Sequence, residues 1–219
     1  MPRSEPPRLV ICGTDTDVGK TVVSALVVQG LGAHYWKPIQ SGLEPDNPAG
    51  ATDSERVRKL LDLPAERIVP EAYRLRAPVS PHWAAEQDGV TINPERLLAL
   101  PSVAGPLVIE MAGGLLVPLR RDWLQIDLLA AWKLPVLLVA RTALGTINHT
   151  LLSLEALSRR DIPVQGVLLS GEAHADNPRT IRDLTDAPLL GWLPRLDPLN
   201  AASLAHHWQS SQMARNLLA

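Results

Sequence analysis

The feature that most constrains this chain is the segment at residues 13–21, which reads Gly-Thr-Asp-Thr-Asp-Val-Gly-Lys-Thr. It follows a short apolar run at 8–12 and precedes an apolar, helix-length run at 22–31. A glycine-bearing loop at the start of a helix directs backbone N–H groups and the positive end of the helix dipole at one phosphate group. The pattern therefore predicts a strand, a phosphate-binding loop and a helix, with Lys20 at the outer phosphates of a nucleotide and Thr21 on Mg²⁺.

The spacing in this loop differs from the usual G-x-x-x-x-G-K-[ST] pattern. Five residues, rather than four, separate Gly13 from Gly19, and Thr14 stands at the usual first-glycine position. The alternative interpretation is an ordinary glycine-containing turn before a helix. Because Gly-Lys-Thr between a strand and a helix is uncommon by chance, we favour the phosphate-binding loop.

Composition limits the class of protein. A chain of 219 residues predicts a single domain over 1–219, with a flexible, proline-rich segment at 1–7. A net charge of -2 gives no electrostatic reason to expect nucleic acid or a membrane as partner. The one cysteine, Cys12, ends an apolar run and is expected to be a buried, inert thiol. With no membrane-spanning run, we expect a cytoplasmic protein.

Apolar runs alternate with helical patterns along the chain. Such alternation predicts an α/β fold of the P-loop NTPase type, a mostly parallel sheet with helices on both faces. Thr52 to Glu55 has the spacing of a capping box, and Ser80 with Pro81 is a second helix start. Strands are predicted at 8–12, in the run 34–39, and at 106–110, 134–140, 164–170 and 189–193. The second of these is expected to end at Lys37-Pro38, because proline cannot serve an interior ladder. Helices are predicted after 52, 80 and 93 and at 22–31, 123–132, 148–160, 178–185 and 198–217.

Polar residues at the carboxyl ends of these strands are candidates for chemistry, because ligands bind at that edge of an open α/β sheet. Lys37 and Ser41 follow the second strand, and Glu110 ends the third. The ordinary alternative for Lys37 is a solvated lysine at a strand exit. The ordinary alternative for Glu110 is an ion pair with a neighbouring lysine. Asp53 lies in the first turn of a helix, where it could simply complement the helix dipole.

Five motifs in order carry a resemblance to a known family. They are Gly-Thr-Asp-Thr-Asp-Val-Gly-Lys-Thr at 13–21, Lys-Pro-Ile-Gln-Ser-Gly at 37–42, Ser-Pro-His at 80–82, Glu-Met-Ala-Gly-Gly at 110–114 and Gly-Thr-Ile-Asn-His at 145–149. In order and separation, from about residue 8 to 196, this set resembles the dethiobiotin synthetases. The resemblance implies an ATP- and Mg²⁺-dependent ligase that joins CO₂ to 7,8-diaminononanoate through a carbamate and a carbamic-phosphoric anhydride, giving dethiobiotin, ADP and phosphate. It also implies a homodimer.

The resemblance assigns roles to the matching residues. It implies metal binding by Thr21, Asp53 and Glu110, and catalytic roles for Lys20, Lys37 and Thr16. The implied substrate-binding residues are Thr16, Lys37, Ser41, Gly145, Thr146, Ile147 and Asn148, the last four across the dimer interface. The implied nucleotide-binding residues are Gly13, Asp17, Val18, Gly19, Lys20, Thr21, Val22, Asp53, Glu110, Met111, Ala112, Gly113, Ser170, Gly171, Pro194, Arg195 and Leu196.

Three features depart from the family pattern. Met111 replaces a glycine after the acidic residue, and Asp17 replaces a glutamate in the loop. Ser170 and Gly171 stand where an Asn-x-Asp or Asn-Asp pair usually contacts adenine, which raises the question of nucleotide selectivity. The rival interpretation is a partner-switch ATPase with a deviant phosphate loop. Such proteins carry an extra lysine near the start of the loop, where this chain has Asp15.

Overall fold

A computed structural model describes residues 6–43, 51–211 and 213–218 of the chain. The predicted flexible segment 1–7 lies mostly outside these residues. The strands are β1 Arg8–Gly13, β2 His34–Trp36, β3 Ile39–Gln40, β4 Ile68–Val69, β5 Tyr73–Arg74, β6 Leu107–Gly114, β7 Pro118–Arg120, β8 Trp123–Leu124, β9 Val136–Arg141, β10 Val164–Ser170 and β11 Leu189–Leu193. The helices are α1 Lys20–Leu31, α2 Asp53–Leu61, α3 Pro81–Gln87, α4 Pro94–Leu98, α5 Gln125–Trp132, α6 Thr146–Ser158, α7 Asn177–Leu184, α8 Ala201–Ser210 and α9 Met213–Leu218.

Seven strands form one parallel sheet in the order β11-β10-β9-β1-β6-β2-β4. The strand before the phosphate loop lies at its centre, with Arg8 opposite Leu107 on one side and Val10 opposite Val136 on the other. Two small two-stranded sheets, β3 with β5 and β7 with β8, lie outside it. The predicted α/β fold with a mostly parallel sheet is confirmed.

The core has one layer on each face of the sheet. Along β1, Leu9 and Ile11 belong to one buried cluster and Val10 and Cys12 to the other, as the two-residue period of a strand requires. Helix α1 packs in the first cluster and α5 in the second. Both faces are therefore covered, which explains why the central strands are apolar at successive positions.

Cys12 is fully buried at the end of β1, as expected. Burial raises the pKa of its thiol to about 12, so the thiol stays neutral at physiological pH. Among the described residues, none of the helices has the length and apolar character needed to cross a membrane.

Helix α1 packs closely against the C-terminal part of the chain. Its Gly30 lies under the ring of Trp208 in α8, and a Cβ at this glycine would stand 2.2 Å from a ring carbon. The helix ends at Gly32, which has the left-handed conformation that favours glycine. The helix that follows the phosphate loop is thus fixed at its far end.

Some predicted boundaries hold and others were wrong. The second strand ends at Trp36, directly before Lys37-Pro38, where it was expected to end because Pro38 has no N–H for the ladder, and Ile39 and Gln40 pair in another sheet. The strand over 106–110 continues to Gly114, which pairs with Gly13. The helix over 198–217 is two helices, since Ser211 is extended.

Candidate active site

The phosphate loop connects β1 to α1 at the carboxyl edge of the sheet. The Thr14 N–H donates to the Val139 carbonyl at 2.9 Å, and Lys20 Nζ donates to the Asp15 carbonyl at 2.8 Å. Gly19, the N-cap of α1, has a φ of 94°, in the left-handed region. At Gly13, a Cβ would stand 2.7 Å from the Asp15 oxygen, so this position also requires glycine. These contacts hold the loop beside the start of α1, as predicted.

Glu110 is the centre of a buried polar cluster. Its side chain is almost fully buried. Its Oε1 accepts hydrogen bonds from Thr21 Oγ1 at 2.9 Å and from Lys37 Nζ at 3.0 Å, and its Oε2 accepts one from the Tyr35 hydroxyl at 2.9 Å. Lys37 Nζ also contacts the Asp53 carboxylate. The solvated-lysine alternative for Lys37 is therefore wrong, whereas the ion pair proposed as the ordinary role of Glu110 is present.

The charged groups in this cluster shift one another's pKa values. Burial favours the neutral amine of Lys37, but the carboxylates of Glu110 and Asp53 outweigh it, and the pKa of Lys37 is raised. Burial likewise opposes ionisation of Asp53, yet Lys37 holds the pKa of that carboxyl below its usual range. Burial and the charge of Glu110 raise the pKa of Tyr35 well above 10. Lys37 is thus a cation, Asp53 an anion and Tyr35 a neutral donor at physiological pH.

Helix α2 places Asp53 at the cluster. Its capping box is complete: the Glu55 N–H donates to Thr52 Oγ1 at 3.0 Å, and the Thr52 N–H donates to Glu55 Oε2 at 2.8 Å. The Asp53 N–H donates to Gln40 Oε1 at 3.0 Å. The box fixes the first turn of the helix, and Asp53 turns its carboxylate toward Lys37.

Three cavities that share lining residues lie at the cluster. The central cavity has a volume of about 300 Å³ and contains the cluster itself; its lining is Thr16, Asp17, Gly19, Lys20, Thr21, Val22, Lys37, Asp53, Arg56, Glu110 and Gly113. The β10 cavity, of about 700 Å³, lies on the side of β10 and β11. The Ser41 cavity, of about 620 Å³, lies between the loop, Ser41 and the start of α3.

The β10 cavity brings together the loop and two distant segments that were predicted to contact nucleotide. The sequence-predicted residues in its lining are Asp17, Val18, Gly19, Val22, Ser170, Gly171, Pro194, Arg195 and Leu196. Ser170 ends β10 and lies directly against Gly19. Trp192 Nε1 donates to the Gly171 carbonyl at 2.8 Å and fixes the turn after the strand.

The Ser41 cavity includes Thr16 and Ser41, the two hydroxyls predicted to contact substrate. Ala112 and Gly113 also line it. Met111 does not share their position, since its side chain is buried in the hydrophobic core. The strand period accounts for the difference between Met111 and Ala112, because successive residues of β6 face opposite sides of the sheet.

The segment from Gly145 to Asn148 lies apart from these cavities. Gly145 caps α6, Thr146 is buried, Ile147 packs on the core and Asn148 is exposed. None of the four residues lines any of the three cavities. Within the described part of one chain, the structure does not bring them to the cluster.

Several site residues were missed by the sequence analysis. The Tyr35 hydroxyl donates to the Glu110 carboxylate, and the Gln40 side chain accepts from the backbone N–H of Asp53. Arg56 Nη1 lies 3.6 Å from Asp53 Oδ1. Gln125 is buried, and its amide nitrogen donates to the carbonyls of Ala112 and Gly114, each at 2.9 Å. The position of Arg56, three residues after Asp53 in a helix, was a usable signal. Tyr35, Gln40 and Gln125 carried none, because their contacts depend on the tertiary fold.

Comparison with known proteins identifies the family. The model of the AAA domain family matches residues 7–203. The ATP-dependent dethiobiotin synthetase BioD of Rhodopseudomonas palustris (strain BisB18) is 53% identical over 205 residues, 94% of this chain and 95% of that protein. The enzyme of the same name from Brucella ovis is 54% identical over 199 residues, 91% of each chain.

Similar solved structures support the fold. The ParA family ATPase of Chlorobium tepidum matches with a TM-score of 0.56 at 15% identity, over 98% of this chain and 97% of its own. The septum site-determining protein MinD of Pyrococcus horikoshii, complexed with Mg-ADP, matches with a TM-score of 0.57 at 16% identity, over 97% and 93%. At this identity the likeness concerns the fold alone, whereas the sequence relatives cover almost the whole chain. The chain therefore belongs to the ATP-dependent dethiobiotin synthetases, a family of ligases.

Proposed function

We propose that this chain binds ATP, 7,8-diaminononanoate and CO₂ or bicarbonate and closes the ureido ring of dethiobiotin. One amine of the diamine attacks CO₂ and loses a proton, which gives a carbamate. A carbamate oxygen attacks the γ-phosphorus of ATP, and the bond to the β-phosphate oxygen breaks, which gives a carbamic-phosphoric anhydride and ADP. The second amine attacks the carbonyl carbon, loses a proton and expels phosphate.

The observation that carries the proposal is the position of the charged cluster between two larger cavities. The central cavity shares Asp17, Gly19 and Val22 with the β10 cavity. It shares Thr16 and Arg56 with the Ser41 cavity. A nucleotide in the β10 cavity directs its outer phosphates toward the cluster, and a diamine in the Ser41 cavity meets them there. Phosphoryl transfer depends chiefly on such positioning and on stabilisation of charge.

The donor set of the cluster fits Mg²⁺. Hydroxyl and carboxylate oxygens of Thr21, Glu110 and Asp53 converge: Thr21 Oγ1 is 2.9 Å from Glu110 Oε1, and Lys37 contacts the carboxylates of both Glu110 and Asp53. Among the described residues, no group of three or more His, Cys, Asp or Glu side chains could hold a metal. Mg²⁺ prefers few protein oxygens and completes its shell with water and phosphate oxygens. When bound, it neutralises charge on the β- and γ-phosphates.

The chain's own cations have separate tasks in this proposal. Lys20, held by the Asp15 carbonyl at the loop, contacts the outer phosphates. Lys37, held between two carboxylates, stabilises the charge of the transferring phosphoryl group. Thr16 and Ser41 bind the diamine or its carbamate. We also propose that the described elements form a single domain, since both core layers share one sheet.

The carboxylate tail of the substrate is assigned to Gly145, Thr146, Ile147 and Asn148 of a second subunit. Within one chain these four residues line none of the three cavities, which supports the assignment to another copy of the chain. The proposal therefore includes a homodimer whose two sites each combine residues of both subunits.

The alternative, a partner-switch ATPase, is not favoured. Its support is the fold likeness to ParA and MinD, at 15% and 16% identity. The synthetase relatives are 53% and 54% identical, and Asp15 stands in place of the lysine that the switch would need.

Release of inorganic phosphate from ATP is the direct test. We expect release that requires both 7,8-diaminononanoate and bicarbonate, with dethiobiotin formed in equal amount. Phosphate release of the same rate without the diamine would contradict the ligase proposal and favour the partner-switch ATPase.

A further inference from the structure

Tyr35 lies on the inner side of the Glu110 carboxylate. In the β2–β6 pairing, Tyr35 is opposite Val108, so Glu110 is its diagonal neighbour on the same face of the sheet. The tyrosine is fully buried, and its hydroxyl is 2.9 Å from Glu110 Oε2. The other oxygen, Oε1, faces Thr21 and Lys37. The two carboxylate oxygens of Glu110 therefore have different partners on opposite sides.

We propose that Tyr35 is a positioning residue for the metal site: its hydroxyl holds Oε2 so that Oε1 stays directed at Thr21 and the phosphate loop. The inference rests on the metal role proposed for Glu110. A glutamate side chain has three rotatable bonds, and its terminal torsion is broad, so the orientation of the carboxylate needs an external constraint. Partners that orient metal ligands typically change metal affinity by about 10–100-fold when removed.

The hydroxyl and the ring of Tyr35 have different contacts. The ring packs in the apolar cluster that includes Val23, Val57 and Val108, where phenylalanine would fill the same volume. Tyr35→Phe therefore removes one hydrogen bond to Glu110 and leaves the packing intact. The ring contributes to packing of the core, whereas the hydroxyl donates a hydrogen bond to Glu110.

The sequence offers a matched control, because Tyr73 is the second of its two tyrosines. Tyr73 is also buried, and its hydroxyl accepts a hydrogen bond from the Asn93 N–H at 2.8 Å. It lines none of the three cavities. Tyr73→Phe thus loses a buried hydrogen bond of similar length that has no contact with the cluster.

The test measures metal binding without turnover. Mn²⁺ binding to the complex of the protein with ADP is followed by electron paramagnetic resonance. We expect Tyr35→Phe to weaken Mn²⁺ binding by about 10–100-fold, with ADP binding in EDTA unchanged. We expect Tyr73→Phe to bind Mn²⁺ like the wild type, although both variants lose thermal stability.

The variant Glu110→Gln distinguishes failure of the inference about Tyr35 from failure of the metal role proposed for Glu110. If Glu110→Gln weakens Mn²⁺ binding and Tyr35→Phe does not, the inference about Tyr35 is overturned and the metal site stands. If neither variant changes Mn²⁺ binding, both proposals are overturned.

A second measurement does not depend on the folding of Tyr35→Phe. In the Tyr73→Phe background, fluorotyrosine labels position 35 alone. We expect its ¹⁹F resonance to shift when Mg²⁺ is added to the ADP complex, because the hydrogen bond to Glu110 changes as the carboxylate binds the ion. A resonance that stays in place on saturation with Mg²⁺ overturns the inference.

Discussion

The hydroxyl oxygen of Ser170 lies 2.5 Å from the point that a Cβ atom on Gly19 would occupy. The last residue of β10 is therefore in close contact with the N-cap of α1, and its short side chain packs against the phosphate loop. Gly171, which follows, has no side chain. The wall of the β10 cavity at this point presents backbone and one small hydroxyl to a base.

We predict weak discrimination among nucleotide bases. An asparagine pairs with adenine through two hydrogen bonds, a contact worth roughly 1–3 kcal/mol against a wrong base, and neither Ser170 nor Gly171 can make it. A site without such groups also lacks the unpaired-group penalty that rejects other bases. The measurement is kcat/KM for ATP, CTP, GTP and UTP at saturating diamine and bicarbonate. A preference for ATP above about a thousandfold, which corresponds to roughly 4 kcal/mol, would contradict this prediction.

Lys20→Ala is predicted to abolish turnover and to weaken ATP binding while the fold is retained. Within the part of the chain that the structure describes, the Lys20 ammonium donates one side-chain hydrogen bond, to the Asp15 carbonyl in the loop, so the core does not depend on it. Calorimetric titration with ATP and circular dichroism test this. Lys59→Ala, an exposed lysine on α2, is the control and should behave as the wild type. Equal activity in Lys20→Ala would refute the phosphate-loop role.

Lys37→Gln is predicted to lower kcat far more than it weakens nucleotide binding. The reason is that a group which stabilises the transition state acts on the chemical step, whereas a group that binds ground state and transition state equally does not. Single-turnover rates and the Kd for ADP separate the two effects. Parallel losses in rate and in ADP affinity would make Lys37 a binding residue.

The ion pair of Lys37 and Asp53 predicts a pH dependence of stability. The lowered pKa of Asp53 contributes stability that is complete above the unfolded value of about 3.9 and is lost as pH falls through the folded pKa. The raised pKa of Lys37 contributes stability below about 10.4 that is lost only as pH rises through its folded pKa. The pair is thus fully charged across neutral pH.

Removing Lys37 leaves the buried Glu110 and the partly buried Asp53 without their cation, so we expect Lys37→Gln to lose about 3 kcal/mol of unfolding free energy at pH 7. This difference from the wild type should shrink as pH falls through the folded pKa of Asp53, because the protonated carboxyl no longer depends on Lys37. Urea unfolding of the ligand-free proteins between pH 3 and pH 8 measures it. A difference that is constant over this range would show that the pair does not carry the effect.

Subunit complementation tests the shared site. If phosphate loop and tail-binding segment come from different subunits, a mixture of Lys20→Ala and Asn148→Asp proteins, each inactive alone, forms heterodimers with one intact site. Random equal mixing restores activity to about a quarter of the sites. Co-expression followed by light scattering and activity assay measures this. Inactive heterodimers, or a monomer that is active, would contradict the shared site.

The sequence was sufficient for the local features of the fold. The loop at 13–21, the capping box after Thr52 and the alternation of strands and helices depend on neighbours in the chain, and the structure has each of them. The wrong boundaries arose where tertiary contacts decide. Glu110 was expected at the end of a strand, but pairing with β1 extends β6 to Gly114.

The candidate site was predictable where its residues belong to local motifs. Lys20, Thr21 and Glu110 belong to motifs, and the structure joins them at one cavity. The hydrogen bond from Tyr35 to Glu110 depends on the register of β2 against β6, which no local pattern specifies. Met111 also belongs to a motif, but its side chain lies in the hydrophobic core, because a motif does not specify which face of a strand a residue occupies.

The central position of β1 has a consequence for the synthesis of the protein in the cell. The phosphate loop leaves the ribosome before the neighbours of its strand, β6 at Leu107–Gly114 and β9 at Val136–Arg141. Until they arrive, the apolar β1 has neither of its partners, and the carbonyl of Val139 that supports Thr14 does not yet exist. Non-local parallel pairing of this kind is slow and leaves apolar segments exposed to aggregation. A complete phosphate loop therefore forms only after β6 and β9 have been made, and the apolar β1 stays exposed to aggregation until then.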